Sequence, residues 1–248
     1  MNQIKKFFIF AISLISFNMP LLTFGHVEMQ SHQKVPVEYL LSHPDQKGIL
    51  LFHSMGSGKT YITLDYVEKL GIQKVLLFLP KFLRSNWLTQ MKSFGVKDPS
   101  RYEMVAFENP EELLKYDLTD RVVIVDEVHK LVQRLRTSSG QESEYLISAY
   151  EKIRSAKKLL LLTGTPIFSD TADISYIANL FYHEDQFPID PIKFRTEYMK
   201  IKPVTSLVRG HFMESKLMHL GLPFVIMMSA VVTMGTSIPW AIPIVAQV

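Results

Sequence analysis

Leu50-Leu51-Phe52-His53-Ser54-Met55-Gly56-Ser57-Gly58-Lys59-Thr60 is the stretch on which the reading of this chain turns. An apolar run passes straight into a glycine-containing turn and then into Lys-Thr. That order spells a buried strand, a phosphate-cradling loop and the first turn of a helix. Gly56 and Gly58 let the backbone curl until successive N–H groups point at one anion. Lys59 is placed to reach the β/γ-phosphates of ATP, and the Thr60 hydroxyl to hold Mg²⁺. The loop from Met55 through Ser57 to Thr60 is the candidate nucleotide site, with the helix dipole behind it. One position departs from the common G-x-x-x-x-G-K-[ST] pattern, which has glycine where this chain has His53. The required context is present: Ile62, Leu64, Val67 and Leu70 recur at helical spacing, and Gly71 ends the run.

Working outward, Arg121-Val122-Val123-Ile124-Val125-Asp126-Glu127-Val128-His129 is a second anchor. A wholly apolar strand delivers an acidic pair at its carboxyl end, where ligands of open α/β sheets bind. Asp126 suits Mg²⁺, as a hard oxygen ligand. Glu127 suits the role of orienting and polarising the attacking water. His129 either links the nucleotide to the next strand or faces solvent. A third apolar strand, residues 158–162, runs into Thr163-Gly164-Thr165-Pro166-Ile167, a hydroxyl-bearing turn beside the Mg²⁺ strand. Further short strands are expected near residues 74–79 and 103–107, with helices between them. Strands alternating with helices predict a three-layer α/β domain with a mainly parallel sheet.

Composition bounds the remainder. With 248 residues there is room for one large or two small domains, and the absence of cysteine excludes disulfide frameworks and thiolate metal sites. A net charge of +3 is too mild to point toward nucleic acid or away from it. The apolar residues collect at the two ends. Residues 1–25 carry Lys5 and Lys6 and then an uncharged run from 7 to 24, the form of a secretory signal or of an uncleaved anchor. A misplaced start codon is a third reading. The anchor is preferred, because secretion would remove the domain from its ATP. Residues 201–248 begin with a basic linker, and Leu217 to Val248 contains no charged side chain. Residues 220–238 are long enough to span a bilayer, and the basic residues ahead of them favour a cytoplasmic domain. In the central region, 26–200, Gln33 lies ahead of the loop at about the distance of an adenine-reading glutamine, with a surface role as the alternative. Arg134, Arg136, Arg154, Lys157 and Lys158 make residues 130–158 basic, either as a solvated face or as a phosphate-backbone contact.

Taken together, these stretches resemble the first RecA-like domain of superfamily 2 helicases and Swi/Snf-type translocases, nearest in wording to helicases of large DNA viruses. The resemblance covers roughly residues 30–200. Residues 54–60 resemble motif I, and Leu79-Pro80-Lys81 with Asn86-Trp87 resembles motif Ia. Asp126-Glu127-Val128-His129 resembles the DExH form of motif II, and residues 162–167 resemble motif III. The resemblance implies ATP and Mg²⁺ as cofactors, catalysis by Asp126 and Glu127, and adenine contact by Gln33. It also implies that Pro80, Lys81, His129, Thr163, Gly164 and Thr165 couple to DNA or RNA. The family uses a second RecA-like domain to complete the ATP site with an arginine, and the residues after 200 are too few to form one. The expectation is therefore an incomplete helicase-type ATPase domain, served by a second domain in trans. Its rival is a membrane-tethered ATP-binding module, held through residues 7–24 and 217–248, that acts by contact with a partner. A P-loop kinase or transporter ATPase fits poorly with the Thr-Gly-Thr-Pro turn.

Overall fold

The computed structural model describes residues 29–53, 56–165, 170, 172–200, 211–212 and 224–229. Six parallel strands form the central sheet: β1 (Gly48–His53), β2 (Val75–Leu79), β3 (Tyr102–Ala106), β4 (Val122–Asp126), β5 (Lys158–Thr163) and an edge strand from the apolar tail. Numbering the short antiparallel pair β6 (Met199–Lys200) and β7 (His211–Phe212) makes that edge strand β8 (Phe224–Ser229), and the sheet order is β3-β2-β4-β5-β1-β8.

The side chains of each strand divide by parity, because successive residues point to opposite faces. Ile49, Leu51, Leu77, Leu79, Ile124, Leu160 and Leu162 join one core. It is covered by α1 (Ser31–Ser42), α2 (Lys59–Lys69) and α3 (Arg84–Phe94). Leu50, Leu76, Phe78, Val123, Val125, Leu159 and Leu161 join the other. That core lies under α4 (Pro110–Leu113), α5 (Val128–Thr137), α6 (Gly140–Ile153) and α7 (Asp173–Asn179). The helix α8 (Pro191–Tyr198) follows, anchored by buried Phe194. Strands buried on both faces read as continuous apolar runs, which is why β2, β4 and β5 show no alternation in sequence. The three-layer α/β expectation holds.

The apolar tail departs from the expected terminal helix. Phe224–Ser229 pairs in parallel with β1, Gly48 opposite Phe224 through His53 opposite Ser229. Hydropathy alone does not separate a short buried parallel strand from a piece of a spanning helix, and the β-branched pair Val225-Ile226 suits the strand. Among the described residues no helix is long and apolar enough to cross a membrane. The expected anchor at 7–24 lies outside the described residues, as does the rest of 217–248.

The topology sets up the site. β5 lies between β1 and β4, with Phe52 opposite Thr163 and Asp126 opposite Leu162. Three loops far apart in sequence therefore leave the sheet side by side at its carboxyl edge.

Candidate nucleotide and metal site

Gly58 caps α2 in the left-handed region, at φ 84°, and Gly56 sits at φ 77°. At Gly58 the positive φ favours glycine, and a Cβ there would also push on the Gln33 amide, 2.0 Å away. No side chain caps α2, so its first-turn N–H groups stay directed at the loop. The Lys59 ammonium donates to the His53 carbonyl at 2.8 Å and lies across the turn it is expected to serve. Burial lowers its pKa, opposed by the charges of Glu127 and Asp126. Thr60, buried in the first turn of α2, follows directly. Met55 lies outside the described residues.

Gln33 braces the loop. Its Nε2 donates to the Ser57 carbonyl at 3.0 Å, and its Oε1 accepts the Gln30 N–H at 2.8 Å, which closes the start of α1. The His32 Nε2 lies 3.0 Å from the same Ser57 carbonyl. His53, the residue in the expected glycine position, is buried, and its pKa falls to about 3 through burial and then the charges of His32 and Lys59. His32 carried no sequence signal, because its partner lies 25 residues along the chain.

The acidic pair stands opposite. Asp126 ends β4 with both carboxylate oxygens engaged: Oδ2 accepts the Trp87 indole N–H at 2.8 Å, and Oδ1 accepts the Glu127 N–H at 2.9 Å. Burial raises Asp126 to about 6; the Trp87 bond opposes this, and the charge of Glu127 reinforces it. Glu127 adopts φ 53°, ψ 48°, the sole left-handed non-glycine among the described residues. Such strain persists where the surroundings hold it. The His129 Nδ1 lies 3.2 Å from Glu127 Oε2 and 3.0 Å from Thr163 Oγ1. This contact holds the Glu127 carboxyl below its usual range, against burial. Thr163 in turn accepts the Thr165 N–H at 3.0 Å. His129 is buried, with contacts to both Glu127 and Thr163.

Pro80 and Lys81 leave β2 at the same edge, where the Lys81 N–H donates to Glu108 at 3.0 Å. The basic residues of 130–158 are arranged differently. Arg134 pairs with Glu142 and lies 3.7 Å from Glu108, Arg136 pairs with Asp173, and Arg154 pairs with Asp185. Arg154 is buried at the opposite end of the sheet. These three arginines are held by ion pairs within the fold. Trp87, the partner of Asp126, is the site-forming residue that a local reading does not assign a role, because the contact spans 39 residues.

An Acanthamoeba polyphaga mimivirus protein named as a candidate ATP-dependent RNA helicase is 25% identical over 194 residues, which is 77% of this chain and 40% of that protein. An African swine fever virus protein described as a termination factor NPH-I homologue is 28% identical over 175 residues, 62% of this chain and 25% of its own length. The SWI2/SNF2 ATPase core of Sulfolobus solfataricus, solved with double-stranded DNA, superposes with a TM-score of 0.51 at 17% identity, over 73% of this chain and 41% of that one. The chain is similar in sequence to helicase-type proteins of large DNA viruses and shares the fold of a SWI2/SNF2 ATPase core. It spans well under half the length of these relatives. No family model matches it. The candidate site elements follow β1, β4 and β5, which the sheet order makes neighbours.

Proposed function

We propose that this domain binds Mg-ATP and hydrolyses it in response to nucleic acid, as the ATP-binding part of a DExH-type helicase or translocase. The observation that carries the reading is the meeting of Lys59, Asp126 and Glu127 at one sheet edge, with His129 tying Glu127 to Thr163. The N–H groups from Gly56 to Thr60 receive the phosphates, and Lys59 exchanges the His53 carbonyl for the β/γ-oxygens. A divalent cation fits Thr60 and Asp126: burial suppresses ionisation of the carboxylate, and a bound cation would favour its charged form. Bound there, Mg²⁺ neutralises charge on the phosphate oxygens. Glu127, kept ionised by its contact with His129, takes the proton of the attacking water.

Hydrolysis by this chain alone is slow in this account. An arginine supplied from outside the loop provides ~10³–10⁵ of the rate in such enzymes. Arg134, Arg136 and Arg154 are already paired, which supports a second RecA-like domain in trans as its source. Pro80, Lys81, His129, Thr163, Gly164 and Thr165 form the path toward a DNA or RNA strand.

Phosphate release from ATP, measured with and without single- and double-stranded DNA and RNA, tests the proposal. A low basal rate that one of these polymers raises, and that Glu127→Gln abolishes, is the expected result. A folded chain that binds no nucleotide, or a rate indifferent to every polymer and to Glu127→Gln, would overturn it.

A further inference from the structure

Asp126 is held by a residue from the other side of the chain. Its carboxylate ends β4, and the torsion that orients a carboxylate plane is broad, so nothing intrinsic fixes where its oxygens point. Two donors fix it here: the backbone N–H of Glu127 on Oδ1, and the indole N–H of Trp87 on Oδ2. Trp87 is fully buried on α3, and its contact with Asp126 is buried too. The same α3 follows the turn Lys81–Leu83, where exposed Phe82 lies beneath the Lys130 ammonium at 4.5 Å. Lys130 belongs to α5, the helix that starts just after Asp126 and Glu127. The segment 81–94 is therefore fastened to the acidic strand and its helix at two points, one inside and one at the surface.

We propose that Trp87 is a positioning residue for the metal-binding carboxylate: its indole N–H fixes the orientation of Asp126 and so sets how tightly the site takes a divalent cation with nucleotide. This rests on the reading of Asp126 as a metal ligand. Phenylalanine at position 87 would fill most of the same space and donate nothing, leaving Oδ2 buried without that donor and the carboxylate free to turn. Groups that orient a metal ligand from behind are worth 10–100-fold in metal affinity.

The chain has two tryptophans, Trp87 and Trp240, so a Trp240→Phe background makes Trp87 the sole indole. In that full-length background, calorimetric titration of ADP with and without Mg²⁺ separates the two contributions. Trp87→Phe is expected to reduce the Mg²⁺-dependent gain in ADP affinity about tenfold while metal-free ADP binding is unchanged. A lower melting temperature with the full Mg²⁺ gain retained would reduce Trp87 to a space-filling role and overturn the proposal. Should Trp87→Phe not fold, the emission of Trp87 decides. A shift on Asp126→Asn without nucleotide, and on adding Mg-ADP to the parent, supports it; emission indifferent to both overturns it. A parent that binds no ADP under either condition would overturn the nucleotide reading, while the Asp126→Asn emission comparison would still decide the contact itself.

Discussion

The two ends of the central sheet use their charged side chains differently. At the amino edge, cations are tied down. Lys158 donates to the carbonyls of Pro44 and Gln46, Lys47 to that of Arg154, and Arg154 itself pairs with Asp185. Arg121 meets Glu103 at 3.0 Å and Lys74 meets Asp120. At the carboxyl edge, Asp126 is raised to about 6 and His53 lowered to about 3, and Glu127 sits in a strained backbone conformation. One edge spends its charges on holding strands and helices together. The other holds an acid pushed up and an imidazole pushed down beside a strained backbone, perturbations of the kind that cluster at functional sites.

The comparison breaks most visibly at Glu127. Glu127→Gln keeps the shape and removes the base, so turnover in the presence of an activating polymer should fall ~10²–10⁴-fold, while ADP affinity measured by calorimetry is retained. Equal turnover by the variant would make Glu127 a bystander. Arg154→Met, at the other edge, should do the reverse. It removes a buried guanidinium whose partner Asp185 is half exposed and can rehydrate. A loss of about 2 kcal/mol in denaturant unfolding is expected, with nucleotide affinity per folded molecule unchanged. A variant as stable as the parent but weak in ADP binding would erase the distinction between the edges.

The smallest expected effect is a pH dependence. The folded Asp126 pKa of about 6 lies above the ordinary 3.8, so between about pH 4 and 6 the folded chain holds more protons than the unfolded one. Stability therefore falls as pH rises through that window, and the penalty persists above it. Asp126→Asn removes the penalty but leaves one acceptor for two donors, Trp87 and Glu127, and so loses one of the two bonds, for a net gain of about 1 kcal/mol at pH 8 without metal. The gain should shrink as pH drops through 6, and by pH 4, with the penalty nearly gone and the lost bond remaining, it should turn into a net loss. His53 acts with the opposite sign from about pH 3 to 6.5, but in both proteins, so it cancels in the difference. Melting curves of the pair from pH 4 to 8 check this; a gain that grows on acidification would reverse the assigned shift.

What could be read from sequence follows the range of the forces involved. The phosphate loop, the Asp-Glu pair and the Thr163 turn were legible because each is a local strand-to-turn pattern, with backbone and chemistry coded in adjacent residues. The three layers were legible from apolar strands alternating with helices. The bracing of the loop by His32 and Gln33, and of Asp126 by Trp87, was not, since each contact joins segments 24 to 39 residues apart through one hydrogen bond. The pairing of Arg136 with Asp173 and of Arg154 with Asp185, 37 and 31 residues apart, was hidden for the same reason. The tail misled because apolar content specifies burial without choosing helix or strand, and pairing of 224–229 with β1 makes that choice.

If the carboxyl end of the sheet is a nucleotide site built on Lys59, ADP binding must depend on that lysine. Calorimetric titration of Mg-ADP into the full chain, its Lys59→Ala variant and the Arg154→Met variant tests it most directly. One binding event should appear in the parent and in Arg154→Met, and weaken 10- to 100-fold or more in a folded Lys59→Ala, given about 1.5–3 kcal/mol for each charged hydrogen bond lost. Equal binding by the parent and a folded Lys59→Ala would contradict the account.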